Sequence, residues 1–131
     1  MPLLPTDPAE RKKIPIGTGV LDYFPDALAE VAKASLAGNK QHANGEALHW
    51  DRSKSQDESD ALIRHFLERD KMDEDGVLHA GKMAWRALAY TQKLCEARKE
   101  AERKETPEST IQYLRSLCSC APSSRCLVHG E

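Results

Sequence analysis

His79-Ala80-Gly81-Lys82-Met83-Ala84-Trp85-Arg86-Ala87-Leu88-Ala89-Tyr90-Thr91-Gln92-Lys93 is the stretch whose period decides the fold class. At 100° per residue, Ala84, Ala87, Leu88, Thr91 and Cys95 fall on one side of a helix. That side is rich in small residues, which lets another helix approach closely. His79, Lys82, Arg86 and Tyr90 form a second stripe. The spacing predicts a long helix from about Val77 past Lys93, entered from an Asp73-Glu74-Asp75-Gly76 turn. Beyond Cys95 the run Glu96 to Lys104 stays helical in composition but is polar all round, as suits a helix projecting into solvent.

Upstream, the sequence predicts two shorter helices. Pro25 suits a first helical position and Gly38 a C-terminal stop, which places one helix over about Pro25 to Ala37. Leu28, Val31, Ala32 and Ser35 share one side of it, and Asp26, Glu30 and Lys33 the other. Ser55-Gln56-Asp57-Glu58 reads as a capping box with Ser55 as N-cap, opening a helix that ends near Arg69. Its apolar side is Leu62, Ile63 and Phe66, and Asp57, Asp60, Arg64 and Glu68 line the opposite side. Between the two helices, Asn39 to Lys54 has no clear period, and a loop this long in a small domain is usually functional or disordered. Trp50, His42 and His49 within it count against disorder. The resulting division is an extended N-terminal arm over 1–22, with four prolines, a helical core over 23–95, and a C-terminal helical extension and tail over 96–131. In the last part, Thr106-Pro107 opens a short helix with Ile111, Leu114 and Leu117 inside.

Composition narrows the class. The chain has 131 residues, room for one domain with a modest core. Charged residues make up 31% and aromatics 5%, a balance that suits exposed helices better than a β-sandwich. A formal net charge of −2 supplies no basic excess for a nucleic-acid polymer. No apolar run approaches the ~20 residues of a membrane span, and the N-terminus lacks the features of a signal peptide. A cytoplasmic location is expected, with Cys95, Cys118, Cys120 and Cys126 as reduced thiols.

Two sets of side chains could carry chemistry. Glu30 on the first helix, with Asp26 one turn earlier, and Asp57 and Asp60 on the second are carboxylates at helical spacing. Carboxylates on facing helices can share Mg²⁺ or Mn²⁺, which take oxygen ligands. Such an ion offsets a triphosphate's charge and lowers the pKa of a bound water. The same residues also read as solvated faces, with Asp57 simply favouring a helix N-terminus. The stripe His79, Lys82 and Arg86, with Arg64 from the neighbouring helix, could grip phosphates, or could be an ordinary basic face. Trp50 and His49, with Asn39 and Gln41, could frame a base, and Trp50 could equally plug the core. Trp85 reads as core. Cys118, Cys120, Cys126 and His129 could hold zinc, but the spacing favours a tail with free thiols. There is no P-loop, no His-Asp dipeptide and no Gly-x-Ser-x-Gly elbow.

An ordered series of words goes further. Tyr23-Phe24-Pro25-Asp26-Ala27-Leu28-Ala29-Glu30-Val31-Ala32 leads to Gly38-Asn39-Lys40-Gln41-His42 and Leu48-His49-Trp50-Asp51-Arg52-Ser53-Lys54-Ser55. Asp60-Ala61-Leu62-Ile63-Arg64-His65, Asp75-Gly76-Val77-Leu78-His79 and Lys82-Met83-Ala84-Trp85-Arg86-Ala87-Leu88-Ala89 follow. Over about residues 14 to 93 this series resembles the phage and bacterial dATP/dGTP diphosphohydrolase family. That group includes the MazZ-type proteins and is related to the MazG-like all-α nucleotide pyrophosphatases. The resemblance implies an all-α MazG-like bundle that forms a homo-oligomer (dimer or tetramer), with Mg²⁺ or Mn²⁺ held by a Glu-x-x-Glu…Glu-x-x-Asp pattern. Glu30, Asp57 and Asp60 map onto that pattern. Ala27 and Lys33 flank Glu30 where a second Glu would stand, so the remaining ligand must come from Asp26, Glu58 or the loop.

The expectation is therefore cleavage of purine deoxynucleoside triphosphates to the monophosphate and pyrophosphate. Glu30, Asp57 and Asp60 would hold the metal. Lys33, Arg64, Lys82 and Arg86, with His79, would steady the phosphates, and Trp50, Asn39 and Asp51 would border the purine. The implied role is remodelling the purine deoxynucleotide pool of a phage-infected cell, in one form linked to 2-aminoadenine DNA. The alternatives are a house-cleaning pyrophosphatase for other nucleotides and a non-catalytic helical adaptor.

Overall fold

The computed structural model describes residues 4–42, 45–105 and Gln112. Every extended element among the described residues is helical, in the order α1 (Pro8–Lys12), a π-helical turn (Gly17–Leu21), α2 (Pro25–His42), α3 (Glu58–Leu67) and α4 (His79–Glu105). The one sheet-type pairing described is an isolated antiparallel bridge between Met72 and Leu78. No described helix is long and apolar enough to cross a membrane. The chain divides into two compact units between Tyr90 and Thr91.

Local chemistry sets the start of α1 and is overridden at other element ends. Asp7 caps α1 by accepting a 2.9 Å hydrogen bond from the Glu10 N–H, with Pro8 at the first helical position. The arm expected to be extended thus carries two short helical segments, because capping chemistry outweighs the proline count. Gly38 does not stop α2. Positive φ among the described glycines occurs at Gly45 and Gly76, so Gly38 keeps helical geometry and α2 continues to His42. The helical cost of a glycine, ~1 kcal/mol, is small enough for packing to override. At α3 the N-cap is Asp57 rather than Ser55, and its side chain makes no capping bond. The carboxylate is engaged by Arg64 and Ser55 instead, since a charged partner outbids a backbone N–H.

The first unit has a small core. Among the described residues, Ala61, Val77 and Ala89 are its buried hydrophobic side chains, joined by Glu58 and His79. Glu58 sits in the first turn of α3, where the helix dipole favours a carboxylate. The expected apolar sides are only partly covered: Leu62 is half-buried, whereas Ile63, Phe66 and Leu88 are exposed. Tyr23 and Leu67, at 71% and 72% exposure, extend this uncovered apolar surface.

The backbones of α2 and α4 meet at Gly81. A Cβ there would lie 3.1 Å from the Glu30 Cβ and 3.3 Å from the Glu30 carbonyl carbon and oxygen. Any larger residue there would press the Glu30 segment back by a few tenths of an ångström. The turn between α3 and α4 is closed by Asp73 N–H to Val77 carbonyl (2.9 Å) and His79 N–H to Lys71 carbonyl (3.1 Å). Gly76 supplies the left-handed residue at φ 78°.

In the second unit, α4 runs on as the polar helix its composition predicts. Glu100 pairs with Arg103 at 2.8 Å and Lys104 at 3.4 Å, and Gln92 donates to Glu96 at 2.9 Å. The Thr106-Pro107 helix and the candidate zinc ligands Cys118, Cys120, Cys126 and His129 lie outside the described residues.

The contact at Gly81 predicts opposite effects for two glycine substitutions in urea unfolding. Gly81→Val should lower stability by about 2 kcal/mol through overpacking against a helix backbone that cannot retreat. Gly38→Ala, whose Cβ meets nothing within 4 Å, should be neutral or add up to ~1 kcal/mol.

Candidate functional site

One face of α2 and one of α4 border a cavity of about 710 Å³ within the first unit. Helical spacing brings Ala34, Ser35, Gly38 and Gln41 of α2 to it, and Lys82, Trp85 and Arg86 of α4. The loop before α3 adds His49, Trp50, Asp51, Lys54, Ser55 and Asp57. His65 comes from α3, and Asp73 and Asp75 from the turn.

The loop is held in place by its own polar groups. Asn39 accepts from the His49 N–H at 3.4 Å, tying the loop to the end of α2. Asp51 accepts from the Ser53 hydroxyl at 2.6 Å and the Ser53 N–H at 2.9 Å, which closes a local turn. Those bonds hold its carboxyl below the usual range. Trp50 meets Trp85 edge to face, ring centroids 5.7 Å apart, and the Arg52 guanidinium lies 4.2 Å from the Trp50 ring centre.

Charges in the cavity are organised into two groups. Lys82 Nζ lies 2.6 Å from Asp73 and 2.5 Å from Asp75, and its side chain is only 15% exposed. Burial opposes its charge, yet the two carboxylates together raise its pKa. Lys82 in turn lowers both aspartates, helped by the Glu74 N–H at Asp73 and the Val77 N–H at Asp75. The second group is a chain. Arg86 donates to the Ser55 hydroxyl at 3.1 Å, Ser55 donates to Asp57 at 3.0 Å, and Arg64 grips the other Asp57 oxygen at 2.7 Å. Arg64 first and Ser55 second depress the Asp57 carboxyl.

Of the residues expected from sequence, Asn39, Trp50, Asp51, Asp57, Lys82 and Arg86 do line this cavity. Arg64 reaches it only through Asp57. Glu30 does not open onto it: its carboxylate is engaged by Lys33 and by the Leu78 N–H at the start of α4, and both lower its pKa. Lys33 therefore faces a separate shallow depression beside Lys40 and Asp75. Asp60 is exposed on α3. His79 is buried rather than facing phosphate, because its ring packs on His65. Trp85, expected in the core, is a cavity wall. Sequence reasoning gave no role to His65, Asp73 or Asp75. An Asp-x-Asp-Gly turn four residues before a helical His was the available signal for the aspartates, and a lone His beside Arg64 carried none.

Among the described residues, no three His, Cys, Asp or Glu side chains gather as a ligand group, so Glu30, Asp57 and Asp60 do not form a ready-made metal cage in one chain. Mg²⁺, however, is commonly held by one or two carboxylates together with waters and substrate phosphates. The carboxylates that line the cavity are Asp51, Asp57, Asp73 and Asp75.

An all-α chain with an indole-walled cavity carrying both carboxylates and cations is the class defined here. The family model for the dATP/dGTP diphosphohydrolase N-terminal region matches residues 6–103, and the chain belongs to that family. The match extends beyond the 14–93 likeness at both ends, taking in α1 and most of α4. No curated protein and no solved structure matches the chain.

The Lys82 clamp has a signed pH dependence. Carboxyls depressed in the folded state stabilise it above their unfolded pKa, ~3.9, and that stabilisation is lost as pH falls through the folded values. Lys82→Met should cost about 1–3 kcal/mol at pH 7, because two partly buried carboxylates lose their partner. The difference from wild type in urea unfolding should shrink below pH 4. A constant difference across that range would show that the clamp contributes only packing.

Proposed function

We propose that the chain is a metal-dependent diphosphohydrolase that cleaves dATP and dGTP to the monophosphate and pyrophosphate. The observation that carries this reading is the meeting of the Trp50/Trp85 wall with Lys54, Lys82 and Arg86 on one cavity. An aromatic face stacks on a base, and cations a short distance away bind its phosphates. Family membership supports the same chemistry.

Electrostatics supports a divalent ion. Four carboxylates (Asp51, Asp57, Asp73, Asp75) line the cavity beside Lys54, Lys82 and Arg86, so the cations there are largely offset before a triphosphate arrives. Mg²⁺ or Mn²⁺ arriving with the nucleotide would offset that charge and acidify a bound water. Asp57 is the proposed protein ligand, being the expected metal residue that faces the cavity. Arg64 and Arg86 flank it and would turn to the phosphates, and Lys82 would steady them from α4. Asn39, Asp51 and Trp50 would border the purine. Glu30 serves chiefly to cap α4 in this proposal, and Asp60 lies off the site.

A homo-oligomer is part of the proposal. A core as small as Ala61, Val77 and Ala89, beside exposed Phe24, Ile63, Phe66 and Leu88, leaves apolar surface that a second copy would cover. The MazG-like arrangement, the phage setting and the link to 2-aminoadenine DNA rest on family likeness alone.

Pyrophosphate release from a panel of nucleoside triphosphates tests the reading. With Mg²⁺ or Mn²⁺, dATP and dGTP should be the preferred substrates, and a chelator should abolish turnover. Asp57→Asn should lower kcat at least ~100-fold with helicity retained, as removal of a charge-stabilising group does. Glu30→Gln should lower thermal stability more than kcat. A pyrimidine preference would favour a house-cleaning enzyme, and no turnover on any nucleotide would favour an adaptor.

A further inference from the structure

The first unit contains a histidine pair that the proposed phosphate and base contacts do not use. His65 Nδ1 and His79 Nδ1 are 3.0 Å apart, with ring centroids separated by 5.2 Å. Two imidazole nitrogens at that distance share one hydrogen, so one ring donates and the other accepts. His79 Nε2 lies 3.6 Å from a Glu68 carboxylate oxygen. That distance is too long for a hydrogen bond but short enough to set the ring's polarity. A bare Nε2 lone pair facing the carboxylate would be repelled, and an Nε2–H would be attracted. Glu68 therefore selects the Nε2–H form of His79, whose Nδ1 becomes the acceptor. His65 must then carry its hydrogen on Nδ1, which leaves its Nε2 as a bare lone pair. His65 lines the cavity, and no described hydrogen bond engages that Nε2.

We infer that His65 is the proton acceptor of the cavity, with His79 and Glu68 as positioning residues behind it. The inference rests on the hydrolytic reading above. In the step it assigns, His65 Nε2 takes a proton from the attacking water. The water oxygen forms a new bond to phosphorus as the bridge between the α- and β-phosphates breaks, and the departing phosphate oxygen keeps the electron pair. The imidazolium formed donates through Nδ1–H to His79, and the Glu68 carboxylate offsets its charge across the second ring. The logic is that of a base oriented by a third group, extended by one imidazole.

The surroundings keep His65 ready for this task. Burial first, then His79, Lys82 and Arg86, lower its pKa, and Asp73 partly opposes them. A lowered imidazole pKa means the neutral, proton-accepting form dominates at neutral pH. His79 is 8% exposed and fixed at the first position of α4, where its N–H bonds the Lys71 carbonyl. The orienting ring is thus anchored by backbone as well as by packing.

Two measurements on the full chain decide the matter. Long-range ¹H–¹⁵N spectra of the histidine rings at neutral pH should show His65 as Nδ1–H with a bare Nε2. An Nε2–H form of His65 would overturn the inference. In dGTP turnover with Mg²⁺, kcat/KM of the wild type should fall tenfold per pH unit on an acid limb below the ordinary histidine pKa, ~6.5. His65→Gln should lose that limb and drop kcat at least ~100-fold with KM little changed. Glu68→Gln should move the limb to lower pH, because the imidazolium loses its nearby anion. A merely structural Glu68 would leave the limb in place. A wild type that turns over while His65→Gln keeps both rate and acid limb sinks this inference alone. A wild type inactive on every nucleotide sinks it together with the hydrolytic reading.

Discussion

The close approach of α2 and α4 at Gly81 is the constraint on which the rest of the first unit depends. A Cβ at that position would lie 3.3 Å from the Glu30 carbonyl, tighter than ordinary van der Waals contact. The crossing point is consequently fixed by backbone rather than by flexible side chains. Glu30 reinforces it by accepting from the Leu78 N–H at the start of α4. One to two helical turns further along each helix, the same two faces present Ala34, Ser35 and Gly38, and Trp85 and Arg86, to the cavity. A small shift at Gly81 would therefore move both walls.

The charged groups of the cavity are held before any ligand arrives. Lys82 is shared by Asp73 and Asp75, and Asp57 is shared by Arg64 and Ser55. Pairing of this sort limits the cost of placing charge in a half-buried site. On the proposed function, an anionic ligand would bind by exchange, taking cations from carboxylates that then need another partner. In that proposal a divalent ion would be the replacement, since it takes the oxygens that the cations release. The pairing of Lys82 with the turn also links the cavity to Gly76 and the Met72–Leu78 bridge, the elements that aim α4.

The sequence carried much of the site in its loop. His49, Trp50, Asp51 and the helix-end residues Asn39 and Gln41 stand close together in the chain, so their shared cavity follows from short-range geometry. Lys82 and Arg86 were legible for a similar reason, being four apart on a strongly periodic helix. His65 and Asp73 were not legible. Their roles come from pairings with His79 and Lys82 across 14 and 9 residues, and no periodicity reports a contact between different elements.

Glu30 illustrates the same division from the other side. Helical spacing placed it one turn from Asp26 and in a carboxylate stripe, which is correct about its helix and silent about its partner. Lys33 and the α4 N-terminus claimed it once α2 met α4. By itself the sequence determined the helical class, the long α4 and the residue types available to bind a base and phosphates, because those depend on interactions within a few residues. Tertiary structure decided which carboxylates reach the cavity, that Trp85 walls it, and that His65 and His79 meet ring to ring. Those outcomes depend on how separate helices cross, and the crossing is set at Gly81 by a contact between residues fifty-one positions apart.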